Sequence, residues 1–250
     1  MKIASDVQNS VAIMQPTYLP WAGYFSLINM VDTFVIYDDV QFDKRSWQQR
    51  NKIKTLTGPQ WLSISVDSKG KYKQKINEVS ISQQSHDYKT HIRALHQNYS
   101  KAPFFKDHSD AIFKCLGAYT SLLAELNTSL IGLICQILGI NTKLVRSSDL
   151  GIGGVKEARL INICKHLAGT QYISPQGSKA YLNESDAFCG SSVELVYQVF
   201  DHPEYPQIHG EFIPYMSILD MLFNCGSEKT LELIKVASSL ELNKPNLLVG

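Results

Sequence analysis

The chain has 250 residues, 44% of them hydrophobic and 19% charged, which supplies a substantial core and excludes a disordered chain or a coiled coil. At this length one large body, with an inserted subdomain, is expected. Its 24 basic and 23 acidic residues leave a net charge of +1, so no global field marks a nucleic-acid coat or a polybasic membrane anchor and any anion site must be local.

The first ten residues carry Lys2, Asp6, Gln8 and Asn9 and no apolar run before a small-residue cleavage site. The longest apolar stretch, residues 122–140, is broken by Glu125, Asn127, Thr128, Ser129 and Gln136 and reads as a core helix. A cytoplasmic protein without a membrane span is the expectation. Cys115, Cys135, Cys164, Cys189 and Cys225 are dispersed with no CxxC pair, and read as reduced thiols rather than a disulfide framework or a zinc knuckle.

In chain order, residues 11–14 are a β-prone run ending at Gln15-Pro16, residues 23–28 have helical apolar spacing, and residues 33–37 are a second strand. This is a βαβ unit, which places residues 15–18 and 38–42 on one rim where strands end and helices begin. Residues 46–66 read as an antiparallel hairpin, with strands at 47–56 and 61–66 around a turn at 57–60, and residues 76–81 as a further strand. Helical patterns at 86–99, 104–115 and 118–138 make an inserted helical layer at about 85–140. The α/β pattern then resumes with strand 142–146, loop 147–154, helix 155–167 and strands 171–174 and 194–200. The expected fold class is therefore α/β, with a Rossmann-like, mostly parallel sheet. Helices at 215–224 and 227–239 close a single domain of residues 1–240, and 241–250 is a weakly packed tail.

Directional polar groups concentrate in residues 38–52. Alternation puts Gln48, Arg50 and Lys52 on one face of the hairpin and Trp47, Gln49, Asn51 and Ile53 on the other. A guanidinium and an ammonium two residues apart can clamp a phosphate or carboxylate; the alternative is a charged edge strand that discourages aggregation. Asp38 and Asp39 follow a strand directly, where a carboxylate can hold Mg²⁺ or orient a donor amine, one of them facing the site and the other capping a turn. The glycine-rich turn at 151–159 opens a helix whose free N–H groups, with Lys156 and Arg159, can hold an anion, or is a helix start with no ligand. A second strand-to-helix loop, containing Ser174 and Gly177, lies at the same end of the sheet. In the stiff segment 202–210, His202 and His209 are candidate acid–base groups, against a structural role in a proline-rich loop. His86, His91 and His96, spaced by five, do not share a helical face and make no metal site.

Three segments together carry a resemblance: Met14-Gln15-Pro16-Thr17-Tyr18-Leu19-Pro20-Trp21-Ala22-Gly23-Tyr24-Phe25; Tyr37-Asp38-Asp39-Val40-Gln41-Phe42 with Arg45, Trp47, Arg50, Asn51 and Lys52; and His202-Pro203-Glu204-Tyr205-Pro206-Gln207 with residues 212–226. Over residues 10–240 the chain resembles the WbqC-like family. The resemblance implies a bacterial protein of O-antigen or other surface-polysaccharide gene clusters, and a glycine transferase acting on amino sugars. The first segment is also similar to the first-strand motif of nucleotidyltransferase-like enzymes such as pantothenate synthetase, which form an acyl adenylate and pass it to an amine. Their HxGH motif for ATP phosphates reads Trp21-Ala22-Gly23-Tyr24 here, keeping Gly23 and lacking both histidines.

The expected function is an acyl (glycyl or similar aminoacyl) transferase acting on the amine of a nucleotide-linked amino sugar. His202 or Asp38 is the expected base. Substrate contacts are assigned to Gln15, Tyr18, Gly23, Tyr24, Asp39, Gln41, Arg45, Trp47, Arg50, Lys52, Lys156, Arg159, Ser174, Gly177, Tyr205 and Gln207. No protein-bound metal is expected; ATP with Mg²⁺ is the cofactor considered. The acyl donor is left open among ATP with a free acid, an aminoacyl-tRNA and a thioester, as is the oligomeric state. The alternatives are a nucleotidyl or glycosyl transferase with Asp38 or Asp39 on a metal, and a non-catalytic sugar-binding protein whose Tyr18, Trp21, Trp47 and Tyr205 stack on sugar rings.

Overall fold

Along β1 (Ser10–Met14) the side chains divide by alternation: Val11 and Ile13 enter one apolar cluster and Ala12 and Met14 the other. β2 (Thr33–Ile36) repeats the division, with Val35 on the first side and Phe34 and Ile36 on the second. Strands apolar on both faces must lie inside a sheet covered on both sides. In this computed structural model, which describes residues 8–118, 120–183 and 186–243, they pair in parallel in register Val11 to Thr33 through Met14 to Ile36.

Four more strands complete the sheet: β5 (Lys143–Arg146), β6 (Gln171–Pro175), β7 (Glu194–Phe200) and β8 (Ser238–Leu242), in the order β5-β2-β1-β6-β7-β8. All neighbours are parallel except β7 and β8. The larger cluster is roofed by α1 (Ala22–Asn29), α2 (Asp87–Tyr99), α3 (Phe105–Gly117), α4 (Leu123–Leu138) and α8 (Ile218–Val236). The smaller is covered by α6 (Lys156–His166) and α7 (Lys179–Asn183). The short α5 (Ser147–Leu150) follows β5, and β3 (Arg50–Thr55) and β4 (Gly58–Ser63) form a separate antiparallel hairpin. Among the described residues no helix is long and apolar enough to cross a membrane.

Several boundaries differ from the sequence reading, each for a local reason. The hairpin strands begin at Arg50, and Thr55 pairs with Gly58 (φ +111) around a turn at Leu56-Thr57 rather than at 57–60. Trp47, Gln48 and Gln49 therefore belong to the preceding turn and do not alternate with the strand: Trp47 is exposed while both glutamines are buried. Residues 76–81 are not a strand, because the N–H groups of Ile76 and Asn77 go to Val40 and Asp38 carbonyls in a 3₁₀ turn, Ile76–Glu78. Leu123 N–H and Ser121 C=O bond this same segment, which delays the start of α4. The two closing helices form one run broken at Gly226 (φ 78°, ψ 171°), where the Phe104 ring occupies the space a Cβ needs. Residues 238–242, which the sequence reading divides between the end of a helix and the start of a tail, are the edge strand of the sheet; residues 244–250 lie outside the described residues.

Candidate active site

The strand order reverses between β1 and β6, so the loops leaving their carboxyl ends part and open a crevice. It measures about 520 Å³, a usual size for a small-molecule site. Ile13, Met14, Leu160 and Tyr172 form an apolar floor; Gln15, Thr17, Asp43, Gln48 and Ser178 supply polar groups; Tyr37, Trp47 and Tyr181 make an aromatic rim.

The wall facing this crevice is a turn held in a strained shape. Arg45 has φ +63°, a left-handed conformation that costs about 1–3 kcal/mol in a non-glycine residue. Two buried glutamines hold it there: Gln48 Oε1 accepts the Asp43 N–H (3.0 Å) and Gln49 Oε1 accepts the Arg45 N–H (2.9 Å). Gln48 Nε2 also donates to Gln15 Oε1 at 2.8 Å, tying the turn to the end of β1. From α4, the buried Asn127 donates to the carbonyls of Gln48 (2.7 Å) and Pro16 (3.3 Å). With the scaffold fixed in this way, Thr17 Oγ1 is buried without a hydrogen-bond partner among the described residues, and the exposed Asp43 carboxylate has no ion-pair partner among them. The Thr17 hydroxyl is closed to solvent, whereas a free carboxylate on a rigidly held crevice wall is what a bound ligand satisfies.

Asp38 has no such freedom. It is fully buried; Arg146 Nε and Nη2 reach its Oδ2 at 2.7 and 2.6 Å, Ser148 Oγ donates to Oδ2 (3.0 Å) and Ser148 N–H to Oδ1 (3.1 Å). Held by these donors, Asp38 is a clasp between β2 and β5 and is not among the residues lining the crevice, where the sequence expects a base. Asp39 accepts from Ser147 Oγ (2.5 Å) and pairs with Arg159. Burial raises the Asp39 carboxyl, but the Ser147 hydroxyl and the Arg159 guanidinium outweigh it and hold it below the usual carboxylate range. Both carboxylates would have to surrender these partners to take a metal. Among the described residues no group of three or more His, Cys, Asp or Glu is arranged to hold one. The Asp39–Arg159 pair does bring the 38–52 segment against the 151–159 turn. Arg159 Nε folds back onto Ile152 O (3.0 Å), and Gly154 (φ +126°) leaves no room for a Cβ, which would lie 2.9 Å from Arg159 Cα. Arg159 is thereby a structural partner; Lys156, with φ +50°, is exposed.

His202, the other expected base, is likewise partnered and lies away from the crevice lining. Its Nδ1 lies 3.0 Å from Pro203 O and its Nε2 accepts the Tyr215 N–H at 3.2 Å, so the lone pair a base needs is taken. Burial among Trp21, Phe200, Tyr205, Phe212 and Tyr215 pushes its pKa below the usual imidazole value, keeping it neutral. Tyr205 and Gln207 point instead at the buried Asp220, donating to Oδ2 at 2.7 and 2.6 Å, while Tyr99 OH donates to Oδ1 at 2.7 Å. Nearby, the buried Lys54 Nζ donates to the carbonyls of Gly210 (3.2 Å) and Glu211 (2.5 Å). This is a satisfied internal network, not a sugar-binding surface.

Tyr18 is buried with its hydroxyl 2.7 Å from His91 Nδ1, and Tyr24 donates to Gln15 O at 3.1 Å from inside α1. The indole of Trp21 lies where a Cβ on Gly23 would be, so the place at which the nucleotidyltransferase resemblance implies ATP phosphates is filled by this chain's own side chain. Ser174 is buried and bonded to Ser178 Oγ (3.0 Å); the exposed Gly177 lies beside Ser178 at the crevice mouth. Of the residues picked from the sequence, Gln15 and Trp47 line the crevice. Gln41 and Arg45 are exposed nearby, Gln41 Nε2 donating to Tyr72 O (3.3 Å). Arg50 and Lys52 lie over the Trp61 ring at 4.3 and 4.9 Å from its centroid. Thr17, Asp43 and Gln48 are not among the substrate contacts read from the sequence, although Thr17 lies in the first resemblance segment and Asp43 and Gln48 in the polar stretch 38–52; Asn127 is one of the polar residues that break the apolar stretch 122–140.

The sequence model of the WbqC-like protein family matches residues 15–232. The uncharacterized protein Rv1507c of Mycobacterium tuberculosis is 42% identical over 221 residues, covering 87% of this chain and 94% of that protein. No solved structure matches the chain.

Proposed function

The chain belongs to the WbqC-like protein family, and on that premise we propose that it transfers a glycyl or similar small acyl group to the amine of a nucleotide-linked amino sugar in O-antigen or surface-polysaccharide synthesis. The observation that carries the reading is the crevice at the reversal of strand order, with the Asp43 carboxylate free on its wall. Counted in chain order within the sheet, the strands run 3-2-1-4-5-6, as in doubly wound nucleotide-binding sheets, and a Rossmann-like assignment is part of this proposal.

In the reaction the sugar amine attacks the acyl carbon, a C–N bond forms, and the bond from that carbon to its carrier oxygen or sulfur breaks. Asp43 accepts the proton from the attacking nitrogen and returns it to the leaving group. The Gln15 amide N–H group donates to the oxyanion while Gln15 Oε1 is held by Gln48 Nε2. Trp47 and Tyr181 on the rim stack against the base or sugar. Synthesis of activated sugars places the protein in the cytoplasm in this reading.

The test is incubation with UDP- or dTDP-linked amino sugars and three donor sets, glycine with ATP and Mg²⁺, glycyl-tRNA, or a glycyl thioester, read by mass spectrometry. A mass gain of one glycyl unit on the sugar supports the reading. A folded protein that acylates no amino sugar from any donor overturns it.

A further inference from the structure

The charge of the chain is segregated. Residues 44–75 hold nine basic residues and one acidic, a net +8, whereas the remaining 218 hold fifteen basic and twenty-two acidic, a net −7. All nine cations but Lys54 reach solvent, and among the described residues none of those eight is in an ion pair. The same stretch carries three large exposed rings, Trp47 at 49%, Trp61 at 41% and Tyr72 at 86% relative exposure.

These groups form one strip leading to the crevice. The loop bearing Lys69, Lys71 and Lys73 is joined to the segment after β2 through Phe42 N–H to Gln74 O (2.8 Å) and Gln41 Nε2 to Tyr72 O (3.3 Å). On the other flank Trp47, which lines the crevice, meets Trp61 with ring centroids 5.3 Å apart, and Trp61 carries Arg50 and Lys52 on its face. We propose that this strip docks the single-stranded 3′ end of an RNA, so that the acyl group entering the crevice arrives as an aminoacyl ester on tRNA.

Interleaved cations and flat rings suit a strand of phosphates and bases. A nucleotide diphosphate would occupy two or three of these cations and leave the rest unexplained. An anionic bilayer also attracts lysines, but it receives aromatic tips free of charge, whereas the exposed Trp61 ring bears a guanidinium and an ammonium. The assignment of the donor rests on the acyl-transfer reading; the RNA-binding surface does not.

The test uses the full chain with a labelled single-stranded RNA ending in CCA, deacylated tRNA, and vesicles of phosphatidylglycerol and phosphatidylcholine. Anisotropy and tryptophan fluorescence are followed against salt. With four cations on phosphates, RNA binding weakens about 50-fold between 50 and 200 mM salt and quenches tryptophan emission. The exposed pair Lys71→Glu/Lys73→Glu weakens binding at least about 10-fold with unchanged thermal melting. Should that double variant misfold, Lys71→Gln and Lys73→Gln singly carry the same test. No RNA binding at 50 mM salt, binding indifferent to Lys71 and Lys73, binding without tryptophan quenching, or vesicle capture in place of RNA binding overturns the surface. Glycyl transfer from glycine and ATP without RNA overturns the donor assignment while leaving acyl transfer intact. RNA binding without any acylation of amino sugars overturns the reaction while leaving the surface.

Discussion

On the β2–β5 side of the sheet's carboxyl edge, Asp38 pairs with Arg146 and Asp39 with Arg159, and serine hydroxyls and a backbone N–H take up remaining acceptor positions. On the β1–β6 side, a few residues away, the exposed Asp43 carboxylate lines a crevice with no such partner among the described residues. Both sides are polar, and both come from the same dense segment of sequence. Buried charge is tolerated where it is fully paired, and it then serves as a clasp. Polar groups left open on a rigid wall are the ones available to a substrate. Closed networks should therefore answer mutation in stability and open ones in turnover, and variants ranked by stability lost test that division.

The largest loss is expected at Asp220. Asp220→Ala leaves two tyrosine hydroxyls and the Gln207 amide without their buried acceptor and removes the negative charge near the buried Lys54 ammonium, and should cost about 3–5 kcal/mol in denaturant unfolding. A loss below about 1 kcal/mol would mean that water or repacking replaces the carboxylate and that the network is not a closed one.

Next comes acid. Burial pushes the His91 pKa down from 6.5 to about 4, Asp87 opposing, so the native state resists a proton that the unfolded chain accepts. The His91 contribution is fully present above pH 6.5 and is lost as pH falls towards 4, about 1.4 kcal/mol for each pH unit and roughly 3 kcal/mol across the window. Asp220, whose carboxyl burial lifts above the usual range, titrates with the opposite sign, and His108 and His202 with the same sign as His91. The measurement is thus a difference curve between wild type and His91→Asn from pH 7 to 4. Parallel curves would remove His91 as the cause.

Asp38→Ala should cost less, about 2–3 kcal/mol, because Arg146 is 28% exposed and water can rehydrate its guanidinium. Loss of turnover by a variant with native-like melting would restore Asp38 to the active site.

The sheet was legible because short apolar runs such as Val11–Ile13 and Phe34–Ile36 lie close in sequence and are joined through a single helix, which leaves one compact parallel pairing. What the chemistry-bearing residues do was less legible, since a side chain's availability depends on distant partners. Asp38 looks like a base until Arg146, 108 positions on, takes its oxygen. His202 loses its lone pair to the Tyr215 N–H, presented by a backbone with φ 61° that no local pattern announces. Thr17 stands out only by the absence of a partner, and an absence has no signature in a string of residues. Edge strand β8 was missed for a related reason: its exposed, polar-rich SSLEL pairs through backbone with β7, and backbone pairing leaves little trace in side-chain pattern.

The smallest effect on stability, and the one that most sharply separates the two sides, is expected at Asp43. Its carboxylate is exposed and its side chain holds no part of the turn; the turn is held through its backbone N–H and C=O, to Gln48 Oε1 and from Ser46 Oγ, both retained in Asp43→Asn. Melting should therefore stay within about 0.5 kcal/mol of wild type. The asparagine amide fills the same volume and donates hydrogen bonds but cannot accept a proton near neutrality. If Asp43 takes the proton from the attacking amine, kcat falls by about 10²–10⁴ while KM for the sugar changes little, because the interaction removed exists only as the proton moves. An increase in KM with unchanged kcat would instead make Asp43 a binding group for the sugar amine. Unchanged kinetics would remove it from the site and leave the crevice without a carboxylate.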